Sequence, residues 1–113
     1  MNISDLIPLL ELQSLHTAWQ DAPVTGAYCS DLMSDVMANA TEADVLITIQ
    51  GHRNTVAVAT LVGARGIIVC NNRPIPDDMR SAAEDEQIAL FVSGENQFVV
   101  SGKLYHLLTQ TDV

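Results

Sequence analysis

The stretch DVLITIQGHRNTVAVATLVGARGIIVCNN, residues 44–72, decides the fold of this chain. It contains two short apolar runs rich in β-branched residues, at 45–49 and 66–69, which are typical of buried strands. The segment between them has the apolar surface of a helix that ends near Gly63. A strand, a helix and a second strand of these lengths predict a βαβ unit with parallel strands. Residues 44–72 therefore predict an α/β fold.

Helices are predicted on both sides of this unit. Before it, Ser30 is the expected N-cap of a helix of two to three turns, with Asp31 in the first turn, where the helix dipole favours negative charge. After it, Pro76 suits the first position of another helix. Ser93 is the expected N-cap of the last helix, which extends to residue 108. Helices thus alternate with the predicted strands.

Further strands complete the predicted sheet. Runs at 24–28 and 88–92 are expected to be strands, and 12–15 is strand-like. The N-terminal segment has helical spacing, but Pro8 interrupts it, so a short or broken helix is expected. The predicted fold class is α/β: a single domain over residues 1–113, with a mostly parallel sheet of four to five strands and flanking helices.

The composition and charge of the chain argue against several kinds of partner. The chain has 113 residues, 48% of them hydrophobic, which suits one folded domain. Its formal net charge of −9 argues against a nucleic-acid partner, which would require a basic face. The apolar runs are too short to span a membrane, and the N-terminus MNISDLIPLLELQ lacks the positive charge of a secretory signal. A cytoplasmic protein without a membrane partner is expected.

The chain has two cysteines, Cys29 and Cys70, too few for a secreted disulfide framework. We expect them to be reduced and structural, with no metal site and no cofactor. Two other interpretations stay open. Cys70 and His52 could meet at neighbouring strand ends as a nucleophile and its base, although no third orienting group is apparent. The cysteines could also bind a metal with ligands from a second subunit.

Polar clusters follow the two central strands, at 51–54 and 71–73, and all of the Arg residues lie in the middle of the chain. The carboxyl ends of parallel strands meet at one edge of the sheet, where α/β proteins place their ligands. The clusters therefore predict a pocket for an anion or a nucleotide. The alternative is that they only cap helices and form turns. The candidate ligand-binding residues are Ser30, Gly51, His52, Arg53, Asn54, Asn71, Asn72, Arg73 and Ser93.

A family resemblance rests on the same strand ends. A strand that ends in Gly-x-Arg, an apolar helix, a Gly-led strand with a small polar triplet, then Pro and an acidic helix start resembles the DRTGG domain. The corresponding residues here are 51–53 and 70–72, where the Arg is kept and the Asp and the Thr-Gly-Gly are not. The stretch GAYCSDLMSDVMANATEADVLITIQGHRNTVAVA is similar to short stand-alone members from anaerobic bacteria. The resemblance covers about residues 24–108.

The resemblance implies a fold like the N-terminal domain of HPr kinase/phosphorylase, and a regulatory role without catalysis. It also implies subunit contact, hence a homodimer, and a redox-enzyme partner. A kinase is not expected, because the phosphate-binding Gly-x-x-x-x-Gly-Lys-Ser/Thr loop is absent and the sole lysine, Lys103, lacks the upstream glycine spacing. Three functions stay open: a regulatory or interaction module, a domain that senses an adenine nucleotide or another phosphate ligand, and a small enzyme.

Arg53 is the candidate expected to matter most to a phosphate ligand. It is the one charged residue of the family motif that survives, and it precedes a helix whose first N–H groups are expected to point toward the same pocket. Replacing Arg53 with Ala is expected to weaken phosphate binding, and Arg80 in the next helix serves as the control.

Overall fold

The central stretch folds as the sequence predicts. In the computed structural model, which describes residues 1–110, it forms strand β3 (Asp44–Thr48), helix α3 (Arg53–Val62) and strand β4 (Gly66–Val69). Every residue of both strands is buried, and the strands pair in parallel from Val45 opposite Gly66 to Thr48 opposite Val69. The helix ends at Gly63, which adopts the left-handed conformation (φ 73°) that glycine accommodates most easily.

The sheet has five strands in the order β1-β5-β4-β3-β2. Strands β2 to β5 are parallel to their neighbours, and β1 pairs antiparallel with β5. The predicted fold class, a single α/β domain with a mostly parallel sheet, is therefore confirmed. The remaining elements are a 3-10 turn (Ile3–Asp5), α1 (Leu6–Leu9), β1 (Gln13–Ser14), β2 (Gly26–Cys29), α2 (Met33–Asn39), α4 (Asp77–Asp85), β5 (Ala89–Val92) and α5 (Gln97–Thr109).

Helices cover both faces of the sheet. Helices α2, α3 and α4 pack on one face, because consecutive right-handed crossovers in one direction leave their helices on the same side. Helix α5 and the N-terminal residues pack on the other face. The parallel strands follow each other in sequence order, so this part of the sheet has no reversal of strand order to open a crevice. Any binding site at the carboxyl ends must therefore be made by the loops.

The core divides into two layers because side chains alternate along each strand. Leu46, Ile67 and Leu90 point toward α2, α3 and α4. Ile47 and Phe91 point the other way, toward α5 and the N-terminal residues. All five are at most 1% exposed, so the continuous apolar runs reflect strands that are covered on both faces.

Two predicted helix starts are wrong. Ser30 does not cap α2, which begins at Met33 with Leu32 in the N-cap position. The side-chain oxygen of Ser30 instead accepts a hydrogen bond from the Leu32 N–H (3.2 Å), so it closes a local turn. Ser93 does not cap α5 either. Asn96 does so, because its side chain accepts a hydrogen bond from the Val99 N–H (3.0 Å).

Helix α4 also starts slightly later than expected. Pro76 lies in the N-cap position and α4 begins at Asp77, one residue beyond the prediction. A difference of one residue is ordinary at helix ends.

No helix within residues 1–110 is both long enough and apolar enough to cross a membrane.

Candidate functional site

A cleft lies where β3 and β4 end. The chain leaves these adjacent strands on the same side of the sheet, and the two following loops enclose a space of about 270 Å³. The β3 loop contributes residues 49–52, and the β4 loop contributes Arg73 and Pro74. The predicted meeting of Gly51, His52 and Arg73 at one edge of the sheet is therefore what the structure shows.

Gly51 keeps the two loops close together. A Cβ atom at this position would lie 2.9 Å from the carbonyl oxygen of Pro74, too close for any other residue without movement of the backbone. The Gly51 N–H also donates a hydrogen bond to the Ile49 oxygen (3.0 Å), which turns the chain sharply after β3. The glycine is thus required by the close approach of the Pro74 loop.

Helix α3 begins next to this cleft, directly after Gly51 and His52, which both line it. His52 is in the N-cap position but its side chain does not cap the helix. The Thr55 N–H donates a hydrogen bond to the His52 carbonyl oxygen (3.0 Å). Within residues 1–110, the N–H groups of Arg53 and Asn54 have no such partner. First-turn N–H groups carry the positive end of the helix dipole, and Arg73 adds a full charge, so the cleft suits an anion.

Arg53 lies in different surroundings. It is the first residue of α3 and is exposed, but it lines a separate groove of about 630 Å³ between α3 and α4. Asp78, Asp85 and Glu86 line the same groove. Carboxylates repel an anion, so this groove is a poor phosphate site. The structure therefore does not bring Arg53 and Arg73 into one cavity.

The asparagines of the two clusters have local roles. Asn71 and Asn72 adopt left-handed conformations (φ 61° and 53°), which Asn tolerates better than most residues. Their N–H groups donate to the oxygens of Glu95 and Ser93 (both 2.9 Å), so they form the turn after β4. Asn54 is exposed on α3 and does not line the cleft. None of these three residues lines the cleft.

The two candidate serines also lie away from the cleft. Ser93 is 2% exposed, and its hydroxyl oxygen accepts a hydrogen bond from the Glu95 N–H (3.1 Å). Ser30 follows β2, at the far side of β3. Of the nine candidates, the cleft brings together Gly51, His52 and Arg73.

Asp31 is a residue of this edge whose role the sequence did not reveal. It was expected in the first turn of α2, but it precedes that helix. One of its carboxylate oxygens accepts hydrogen bonds from the Thr48 hydroxyl (2.9 Å), the Ile49 N–H (2.9 Å) and the Gln97 side chain (3.0 Å). It thereby joins the ends of β2 and β3 to the start of α5. The available signal in the sequence was Thr48, because a hydroxyl residue at the end of a buried strand needs a hydrogen-bond partner.

The thiols are not arranged for nucleophilic chemistry. Cys70 is fully buried in the core layer under α5, and burial, with smaller contributions from nearby Cys29 and Asp31, raises the pKa of its thiol to about 12. His52 is exposed in the cleft, and no hydrogen bond joins it to Cys70 in the described part of the chain. Both cysteines are free thiols. No group of three or more metal-binding side chains occurs within residues 1–110.

These features define an α/β domain with a five-stranded, mostly parallel sheet and a cleft of about 270 Å³ at its carboxyl edge. The fold is similar to a solved structure of the CBS and DRTGG domains from the regulatory region of Clostridium perfringens pyrophosphatase, complexed with its activator diadenosine tetraphosphate. The TM-score is 0.75, with 11% sequence identity over 90% of this chain and 45% of that chain.

That likeness shows the fold, a DRTGG-like α/β architecture. This chain spans less than half of the length of the pyrophosphatase chain. No protein-family model and no curated protein sequence matches the chain.

Proposed function

We propose that this chain is a non-catalytic regulatory module of the DRTGG kind that holds a phosphate group in the cleft between the β3 and β4 loops. One observation carries the proposal: Arg73 and Gly51 line the same small space, and helix α3, whose first N–H groups have no hydrogen-bond partner within residues 1–110, begins directly after it. In a chain with a net charge of −9, such a local concentration of positive charge is selective for an anion that can enter it.

The size of the cleft indicates which part of a ligand it takes. A drug-sized ligand usually occupies about 300–1,000 Å³. At about 270 Å³ and open to solvent, the cleft fits one or two phosphate groups better than a whole nucleotide. An adenosine moiety would lie outside it. The pyrophosphatase neighbour, which binds diadenosine tetraphosphate, shows that a protein of similar fold occurs with a polyphosphate activator.

A role in binding without chemistry agrees with the thiols and the loops. A thiol with a pKa of about 12 stays protonated at neutral pH and is a poor nucleophile. Arg73 and His52 line the cleft, and within residues 1–110 no carboxylate or hydroxyl group lines it to orient the imidazole for phosphoryl transfer. The proposal therefore assigns the module to sensing, with the phosphate ligand bound and released unchanged.

The module is further proposed to act as a homodimer. Several large apolar side chains are exposed, among them Leu61, Phe98 and Tyr105, at 73%, 86% and 72%. Exposed apolar patches often mark protein contacts. A cytoplasmic location stays a prediction from the sequence, and a redox-enzyme partner stays a prediction that rests on the resemblance to stand-alone DRTGG domains.

A thermal-shift series tests the ligand proposal. ATP, diadenosine tetraphosphate and inorganic pyrophosphate are compared with adenosine, which has no phosphate. A ligand at one hundred times its dissociation constant stabilises a fold by about 2.7 kcal/mol. We expect the three phosphate compounds to raise the melting temperature and adenosine to leave it unchanged. Stabilisation by adenosine equal to that by ATP, or none by any compound at millimolar concentration, would contradict the proposal.

A further inference from the structure

Strand β2 leaves one edge of the sheet open. It pairs with β3 on one side only, in parallel, with Tyr28 opposite Leu46. The Ser30 N–H donates to the Ile47 oxygen (3.2 Å), so the groups of Ser30 and Tyr28 face β3. Backbone groups alternate in direction along a strand, and those of Ala27 and Cys29 therefore face outward. Within residues 1–110 they have no strand partner.

This edge lacks the usual protection against pairing. Proteins commonly guard an exposed edge strand with Lys, Pro, a bulge or a very short strand. The opposite edge, β1, is only two residues long (Gln13–Ser14). Strand β2, Gly26–Cys29, has four residues, none charged and none proline. It is a regular strand that can accept another strand.

An apolar groove lies beside the β2 edge. Helix α5 packs against β2 and β3, and Phe98 and Tyr105, seven residues apart, lie on the same side of that helix. Together with Ala27 and Cys29 they line a groove of about 620 Å³. Among residues 1–110, no charged residue lines this groove, although the chain carries a net charge of −9. Ser101 also lines it with a buried hydroxyl that has no partner among the described residues.

We propose that a second copy of this chain pairs its β2 antiparallel with this β2, so that two five-stranded sheets join into one. The inference rests on the proposed homodimer and names its surface. Two chains of charge −9 repel each other wherever their surfaces are charged, and the uncharged β2 edge is where they can approach closely. A two-fold axis across the paired strands makes the contact self-complementary.

The same axis accounts for the exposed side chains around β2. A two-fold axis perpendicular to the sheet places both α5 helices on one face, side by side across the new strand pair. Phe98 and Tyr105 of each copy then cover the joint from that face. Leu32 and Met37, which are 65% and 54% exposed, lie in the segment that leads from β2 into α2 and in α2 itself, and α2 packs on the opposite face of the sheet.

Sedimentation velocity of the full chain between about 1 and 100 µM tests the proposal, because dimers of modest affinity form in this range. The variants are Ala27→Lys, at the β2 edge, and the matched control Gln13→Lys, at the opposite edge. We expect the parent to be a dimer. Ala27→Lys puts two like charges at the joint and is expected to raise the dimer dissociation constant at least about tenfold, whereas Gln13→Lys leaves it unchanged.

A second measurement needs no variant. Amide hydrogen exchange at the Ala27 and Cys29 N–H groups is expected to slow as the concentration rises through the dimer range, while exchange at Gln13 does not change. A parent that is monomeric at 100 µM, a dimer that resists Ala27→Lys, or unchanged exchange at Ala27 and Cys29 would each overturn the inference; 100 µM is about the weak end of specific association. If the parent is a monomer, the β2 edge would instead be available to pair with an extended segment of a different protein.

The test is separable from the ligand proposal. Ala27 and Cys29 do not line the phosphate cleft, so Ala27→Lys is expected to be stabilised by ATP as much as the parent. If the parent is a monomer that ATP stabilises, the interface is wrong and the ligand proposal stands. If the parent is a dimer that no phosphate compound stabilises, the reverse holds.

Discussion

Arg53 and Arg73 follow neighbouring strands of one parallel sheet, yet their surroundings are opposite. Arg73 lines the cleft at the ends of β3 and β4, where glycine brings two loops together and helix α3 begins. Arg53 lines the groove between α3 and α4, which it shares with carboxylates. The comparison shows that a position at a strand end does not by itself make an arginine a phosphate ligand. The groups that face its guanidinium decide whether it can bind phosphate.

The largest effect is expected from closing the cleft. In Gly51→Val, the new Cβ would collide with the Pro74 oxygen and force the Arg73 loop outward. We expect ATP affinity to fall at least about a hundredfold, because both the space and the position of Arg73 are lost. The matched control is Ala57→Val, an exposed position of the acidic groove. Titration calorimetry measures both, and equal loss in the two variants would remove the distinction between cleft and groove.

Asp31 lies at the same edge of the sheet, on the β2 side, and we assign it a role in stability and not in ligand binding. Replacing Asp31 with Ala removes an acceptor from three donors, and hydrogen bonds to a charged group contribute about 1.5–3 kcal/mol to stability. Urea unfolding is therefore expected to show a loss of about this size, with ATP affinity unchanged once the variant is folded. A variant that stays stable but no longer binds ATP would reverse the assignment.

The smallest change is expected at the thiols, which lie next to this edge. Cys29 is exposed, whereas Cys70 is buried and its pKa is raised to about 12. Iodoacetamide followed by mass spectrometry, run on Ala27→Lys so that no dimer joint covers Cys29, should label Cys29 and leave Cys70 unlabelled from pH 7 to 9, a range that spans about the ordinary thiol pKa.

The buried thiol also gives stability a defined dependence on pH. Above its ordinary value of 9.0, the thiol loses its proton in the unfolded chain but keeps it in the folded chain up to about 12. The folded state then holds more protons, so stability falls as pH rises through this window. Cys70→Ser should lessen this alkaline loss. Rapid labelling of Cys70 at pH 7 in the folded protein would contradict its burial.

The fold could be predicted because its strands are covered on both faces. Residues 45–49 and 66–69 are continuous apolar runs since side chains on both sides of the sheet are buried, and this pattern survives without knowledge of the partners. The sharp stop at Gly51 and at Asn71 likewise marked the loops that form the cleft.

The predictions that were wrong concern details that depend on tertiary contacts. Ser30 and Ser93 both precede helices and resemble caps, but each closes a turn of its own, and Leu32 and Asn96 take the N-cap positions. Arg53 begins a helix, and the sequence does not tell which neighbour its long side chain will meet. Here that neighbour is the acidic α4.

The most direct test of the central claim compares the two arginines under one ligand. Titration calorimetry with ATP is run on the parent, Arg73→Ala and Arg53→Ala, with Arg80→Ala, an exposed residue of α4, as the control. Loss of a charge-assisted contact should weaken binding of Arg73→Ala about tenfold to hundredfold, and Arg53→Ala should bind within about twofold of the parent. Arg53→Ala losing as much affinity as Arg73→Ala, or more, would contradict the account, because the phosphate would then lie outside the cleft assigned to it.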